Sequence, residues 1–499
     1  MSNFSRRSFL ASMAAAPLIP FSEWFEKYAQ AAPPMVRYNA TSINGQAMLK
    51  KYAKGVKTMM ATPSKDPKSW VFQWYSHWIQ GPQVVQPTKN NTINSIYGAA
   101  ASPWKTLAQA MWDECQAHNG QNENYFLPWH RMYVYFFERI VRSVTDATFT
   151  LPYWNYSVAG SAHGVIPKQF RLQNDPVFGP LFVAKRNKPP GHPDVNAGQP
   201  IDQGQPDSPL STIALSECTY SPVGPKQGFC QRLDSGLHGQ VHVLTGGTQN
   251  MGAVPWAAGD PIFWMHHCNI DRLWASWNKA GRQNPSDLPF LSKQFTFADE
   301  NGNKVMATIK DFLKIASLNY TYDAFEPVPA CPAVIQRAPD LVNHFVKPGD
   351  PVQLTPGAVR VTLERGDSAQ AASSTTLADK VRRLRAGRRL YVIVKNLRAD
   401  LDPGVLYHVY LELPSATSPA KGSANYIGTI HFFDATGHDH DATPGDGPEK
   451  FFSFDVTALA KRLLAARKLG EKPTITIAPT GKPASDAKPV VGDISFVEG

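Results

Sequence analysis

Cysteine is scarce in this chain. Five in 499 residues are too few and too scattered for a disulfide scaffold or a thiolate metal cluster. Long apolar runs are missing as well. None approaches the ~18 residues of a membrane span, so the mature protein is expected to be soluble. Charged residues make up only 18% of the chain, and although the formal charge is +10 the basic residues are dispersed. The densest cluster, Lys380 to Arg389, has no interleaved stacking aromatics. It reads as a solvated face rather than a nucleic-acid site. What is plentiful points elsewhere. A hydrophobic content of 42% supports a large core, and the length suits two domains at roughly 100–200 residues each. The 14 His, 12 Trp and 17 Tyr direct attention to a histidine-based site.

The amino terminus reads as an address. Arg6 and Arg7 precede a short apolar stretch from Phe9 to Ile19, and Ala29-Gln30-Ala31 has the small-x-small form of a signal-peptidase site. Residues 1–31 are therefore expected to be a twin-arginine signal cleaved after Ala31; an ordinary amphipathic first helix is the alternative. Such a signal engages the Tat export machinery and places a folded protein in the periplasm of a bacterium or outside it, where disulfides persist. Residues 32–330 read mainly as helices joined by long loops. Tyr133–Arg142 and Pro261–Trp277 are apolar over most of their surface, as buried helices are. After Pro327 to Pro332 the pattern changes. With 331–345 as a linker, residues 346–499 carry β-branched and aromatic runs between turn residues, with one helix over about Val456–Lys468. The expected fold is a mainly α domain followed by an all-β, sandwich-like C-terminal domain.

Six histidines fall into two groups of three: His77, His118 and His130, then His238, His242 and His267. On a helix, residues four apart share a face, so His238 and His242 can reach one ion. That spacing alone is weak evidence. The pair His266-His267 inside a Trp- and Phe-rich buried helix strengthens it, because buried imidazoles are costly unless paired or bound to metal. His438 and His440, among Gly and Asp residues, read as a solvated loop.

At these motifs the chain resembles the type-3 copper proteins of the tyrosinase and polyphenol oxidase family. Phe126-Leu-Pro-Trp-His-Arg131 running to Glu138 is similar to the first copper signature, and Asp260-Pro-Ile-Phe to Asp271 to the second. Leu151-Pro-Tyr-Trp-Asn155 and Tyr320-Thr-Tyr322 are further family elements. The resemblance implies a four-helix bundle around two copper ions, held by His77, His118 and His130 (CuA) and by His238, His242 and His267 (CuB). It makes His266 a neighbour of the ligands, and Asp271, one helical turn after His267, a candidate orienter. It implies O2-driven ortho-hydroxylation of phenols and oxidation of catechols to o-quinones. The strands around Tyr426–Phe433 and Lys450–Val456 resemble the shielding domain of plant-type polyphenol oxidases, which covers the copper site.

Departures from the family pattern shape the rest of the expectation. Position 121 is Gln where the second CuA histidine usually stands, so either His118 takes that role across a three-residue insertion, the favoured reading, or this site differs. Cys115 could form a thioether with His118, or be a buried thiol or half of a disulfide. Cys218 and Cys230 could close a disulfide; Cys268 reads as a packing residue, and Cys331 is unassigned. Efficient monophenolases of the family often carry Asn directly after the fourth ligand with an acid nearby, holding a basic water. Here Gly239 follows His238 and Asp234 precedes it by four. Val254 stands where some members carry a blocking Phe, which suggests an open pocket. Three readings follow: a tyrosinase, a catechol oxidase without the hydroxylation step, or a hemocyanin-like oxygen carrier. A multicopper laccase is disfavoured by the lack of a His-Cys-His motif.

Overall fold

The computed structural model describes residues 33–78, 88–115, 124–187, 193–205, 209–247, 250–331, 342–365, 376–415, 419, 422–433, 435 and 451–499. The signal expected at 1–31 lies outside these residues, as do His118, His438 and His440.

Two large hydrophobic cores divide the described residues, one helical and one built on sheets. The helical core forms around Ile43–Ala61, Phe126–Val144 and Ile262–Lys279. The first of these begins at Ser42, whose side chain accepts from the Gly45 backbone N–H and satisfies an orphan donor of the first turn. Gly55 lets it approach the second helix closely: a Cβ there would stand 2.7 Å from a Val141 methyl. The third helix is buried from Ile262 to Trp277. It starts where Asp260 accepts from the Ile262 N–H while forming a buried ion pair with Arg186 at 2.7 Å. Between the second and third helices runs a broken one. Phe229–Leu233 and Gly239–Thr245 are helical, and the wide turn Asp234–His238 joins them with Gly236 at a non-helical φ of −103° and ψ of −111°. Strand Met35–Arg37 pairs in parallel with Tyr320–Tyr322 and brings both ends of the domain together.

The C-terminal region holds two antiparallel sheets. The smaller runs in the order Tyr426–Ile430, Tyr407–Leu411, Thr474–Pro479, Val359–Thr362. The larger is built on Leu390–Arg398 and Val490–Glu498, flanked by Phe451–Asp455 and Val342–Val346. The region is not all-β as expected. Besides the helix at Thr457–Ala465, a short one spans Leu377–Arg382, fixed by a reciprocal cap between Thr376 and Asp379. It opens the basic run, in which Arg382, Arg388 and Arg389 pair with Asp379, Glu498 and Asp455. Strand Val342–Val346 also begins within the span expected as linker, 331–345, and runs past its end.

The disulfide joins Cys218 to Cys331, 113 residues apart with Cα atoms at 5.9 Å, and not Cys218 to Cys230. Cys230 is turned into the core from the helix Phe229–Leu233. Cys331 comes up beside Cys218 because Arg282 holds the Pro329 carbonyl and Trp277 the Glu217 carbonyl. Neither contact is visible in the local spacing of the cysteines.

Candidate metal centre

The histidines of the centre come from several separate structural devices. His77 ends a tight turn, Tyr75–His77, that follows the short helix Trp70–Trp74. His130 sits one turn into Phe126–Val144, and His266 and His267 lie on the helix Ile262–Lys279. His238 closes the wide turn, and His242 follows in the helix beyond it. One ring nitrogen from each of His238, His242, His266 and His267 lies within 4.8 Å of the others, and the same holds for His77, His130 and His267. All are buried. His267 therefore belongs to both groups, and His266, expected only as a neighbour, stands within ligand reach.

The electrostatics favour neutral imidazoles. Burial pushes His77 down to about 4 and His266 to about 3. Burial, then neighbouring histidines, hold His130, His242 and His267 well below the usual range. His77 Nδ1 donates to the Val254 carbonyl at 2.8 Å, His130 Nδ1 to Phe126 at 2.9 Å and His242 Nδ1 to Met251 at 2.7 Å. A neutral ring that donates from Nδ1 carries its lone pair on Nε2. The His242 and His267 Nε2 atoms stand only 3.4 Å apart, which a shared cation would stabilise. Both ring nitrogens of His266 and Nδ1 of His267 are buried without a hydrogen-bond partner among the described residues. An all-imidazole donor set with buried nitrogens of this kind fits copper, which imidazole binds well.

The surrounding residues depart from expectation in three places. Asp271 does not orient His267. It accepts from Arg131 and from the Tyr322 hydroxyl, from Tyr320 at 2.6 Å and from Arg37 at 3.1 Å. Burial alone would raise its carboxyl, but Arg131 and Arg37 override this and hold it below the usual value. Arg37 in turn meets Glu138 at 2.8 Å, so the family's signature acids anchor a buried ionic hub. Val254, expected beside an open pocket, is fully buried, and its carbonyl accepts from His77 Nδ1. The third departure is at Asp234, whose carboxylate lies 2.9 Å from His238 Nδ1 and so engages that imidazole. Cys115 is buried with Sγ 3.7 Å from His130 Nε2; its thioether partner, His118, lies outside the described residues.

The family model for the common central domain of tyrosinase matches residues 67–215 and 210–280, the span that holds this histidine cluster. The chain belongs to the type-3 copper tyrosinase and polyphenol oxidase family. The polyphenol oxidase middle domain follows at 284–332, and a domain of unknown function matches 349–498. Tyrosinase HcTyr1 of Hahella sp. is 28% identical over 89% of this chain and 95% of its own length. Polyphenol oxidase A1 of Vicia faba is 29% identical over 61% of this chain and only 49% of its own. The fold of latent apple tyrosinase matches across 94% of this chain and 98% of that one, with a TM-score of 0.58 at 19% identity.

In this tyrosinase-family chain the second domain reaches the centre directly. Phe433 stacks on His242 with ring centres 4.1 Å apart and planes at 16°, and lies 5.8 Å from His238. The ring is 1% exposed and packs within the helical core rather than its own domain's. Two residues earlier, His431 Nε2 donates to the Ser235 carbonyl at 3.0 Å, and its ring lies where a Cβ on Gly239 would be. Around this seam Gln227 holds the Phe451 carbonyl at 2.6 Å. The resemblance assigns the segment Tyr426–Phe433 to a shielding domain, but neither ring is singled out within it by the sequence.

Proposed function

We propose that this chain is a tyrosinase: it hydroxylates monophenols at the ortho position with O2 and oxidises the resulting o-diphenols to o-quinones. The observation that carries the reading is the pair of buried histidine groups sharing His267 beneath an aromatic ring stacked on His242. The proposed ligands are His77, His118 and His130 for one copper and His238, His242 and His267 for the other, with His266 alongside. Bound there, copper supplies the redox chemistry that passes electrons from the phenol to O2. The protein does the rest. The backbone carbonyls of Val254, Phe126 and Met251 set each ring's tautomer, and Asp234 holds His238. With Phe433 withdrawn, the exposed face of His242 offers a phenol the same stacking position.

The reading extends to the whole chain. Residues 1–31 are proposed as a Tat signal that takes the protein to the periplasm or beyond. Residues 32–330 form the catalytic domain, a four-helix bundle around the metals. A linker over 331–345 leads to a sandwich-like domain, 346–499, that shields the centre with Phe433. A second reading, catechol oxidase, is favoured by one observation: Asp234 is drawn onto His238, and Gly239 has no side-chain amide with which to hold a basic water. Paired initial rates on a monophenol and its matching catechol, with copper content measured, separate the two. Turnover of both supports the tyrosinase; turnover of the catechol alone supports the second reading.

A further inference from the structure

Gly239 is helical, at φ −65° and ψ −33°, so its backbone does not require glycine, and alanine would suit the helix better. What requires it is space. The His431 ring fills the position of the absent Cβ, and its Nε2 donates to the carbonyl of Ser235. The Ser235 hydroxyl is committed elsewhere, accepting from Gln227 at 2.9 Å and donating to Gln231 at 2.9 Å. What the cleft offers in place of His431 is thus the Ser235 carbonyl, an acceptor. Arg232, the one cation in the stretch 227–245, is engaged with Glu217 at 3.3 Å. His431 and Phe433 are two residues apart after the strand Tyr426–Ile430, a span of about 6.6 Å in extended chain. Together they present to the centre an aromatic ring and, to one side, a nitrogen that donates.

Resting on the phenol-oxidase reading, we propose that the cleft over Gly239 and the Ser235 carbonyl is a substrate subsite for a hydrogen-bond-donating arm on the phenol, an ammonium above all. The two side chains of the shielding domain occupy the ring position and the arm position of such a substrate. An arm ending in a carboxylate finds only an acceptor here and is disfavoured.

The test uses the full-length chain carrying His431→Ala and Phe433→Ala, which empties both seats. On the copper-loaded protein, kcat/KM is compared for dopamine, 3-(3,4-dihydroxyphenyl)propionate and 4-methylcatechol. Dopamine should exceed the propionate by about tenfold or more, the effect of one hydrogen bond from a charged donor. Adding Gly239→Ala, which fills the cleft, should bring the ratio close to one. Calorimetric titration of the copper-free proteins with dopamine and the propionate should show the same preference and its loss. A ratio near one in the double variant, a preference for the propionate, or a ratio that survives Gly239→Ala would each overturn the subsite. If no catechol is turned over, the oxidase reading fails, and the calorimetric ratio alone then decides the subsite.

Discussion

Replacing Phe433 by alanine should unlock the enzyme. The ring is 1% exposed and lies 4.1 Å from His242, packed in the helical core. Truncating a buried Phe to Ala costs ~3–5 kcal/mol, and stacked aromatic pairs add ~0.5–1.5 kcal/mol beyond their area. Only the part made across the domain seam changes the balance between covered and open centre. Taking about half of the truncation cost gives ~2 kcal/mol, which multiplies the open population about thirtyfold. The variant also removes the group that stands where a substrate ring would stack, so the gain applies even while the domain stays docked elsewhere along Gln227 and Ser453. The assay is oxygen uptake on 4-methylcatechol well below saturation, with bound copper quantified on the same samples. A rate about thirty times that of the parent is expected. A change of less than about threefold at equal copper content would refute the idea that Phe433 is the barrier.

Three further outcomes are expected. His267→Ala should lower bound copper by about one ion per chain and abolish oxidase activity, as read by metal analysis and oxygen uptake; retention of both would remove His267 from the ligand set. Asp271→Asn leaves the buried guanidinium groups of Arg37 and Arg131 short of their counter-charge, and should cost ~3–5 kcal/mol in denaturant unfolding of the catalytic domain; a loss under ~1 kcal/mol would contradict the hub. The copper-free chain should lose stability as pH falls from about 6.5 toward 4. His77 takes its proton near 4 when folded and near 6.5 when unfolded, so unfolding binds a proton across that window, worth up to about 3 kcal/mol. The buried Asp402, raised by burial to about 7, works the other way: its folded form holds the extra proton, so its contribution declines as pH rises from about 4 to 7. Chemical unfolding across pH 4–7, with and without Asp402→Asn, separates the two slopes.

The parts of this site legible in the sequence are those encoded locally. His238 and His242 share a helical face, and the helix Ile262–Lys279 announces itself through apolar residues on every side. His77 and His130 come together only because Phe126–Val144 packs beside the turn that follows Trp70–Trp74, an arrangement the family motifs implied but spacing could not. Asp271 shows the limit of local reasoning. One helical turn from His267, it is a sensible orienter, yet its carboxylate is claimed by Arg131 and by Arg37, 234 residues away, two guanidinium groups buried in the same core. Cys218 illustrates the same limit, since a near neighbour in sequence lost to Cys331 across 113 residues. Phe433 and His431 carried no signal of their own. In a strand of a second domain an inward ring and an outward one look alike until the partner surface is known.

The most direct measurement is oxygen uptake by the copper-loaded, full-length Phe433→Ala protein, offered a monophenol and then its matching catechol. The account predicts about two copper ions per chain and steady oxygen consumption with the catechol, and with the monophenol as well if the tyrosinase reading holds. Copper binding with reversible oxygen uptake and no turnover of either compound would contradict it and leave a carrier in its place.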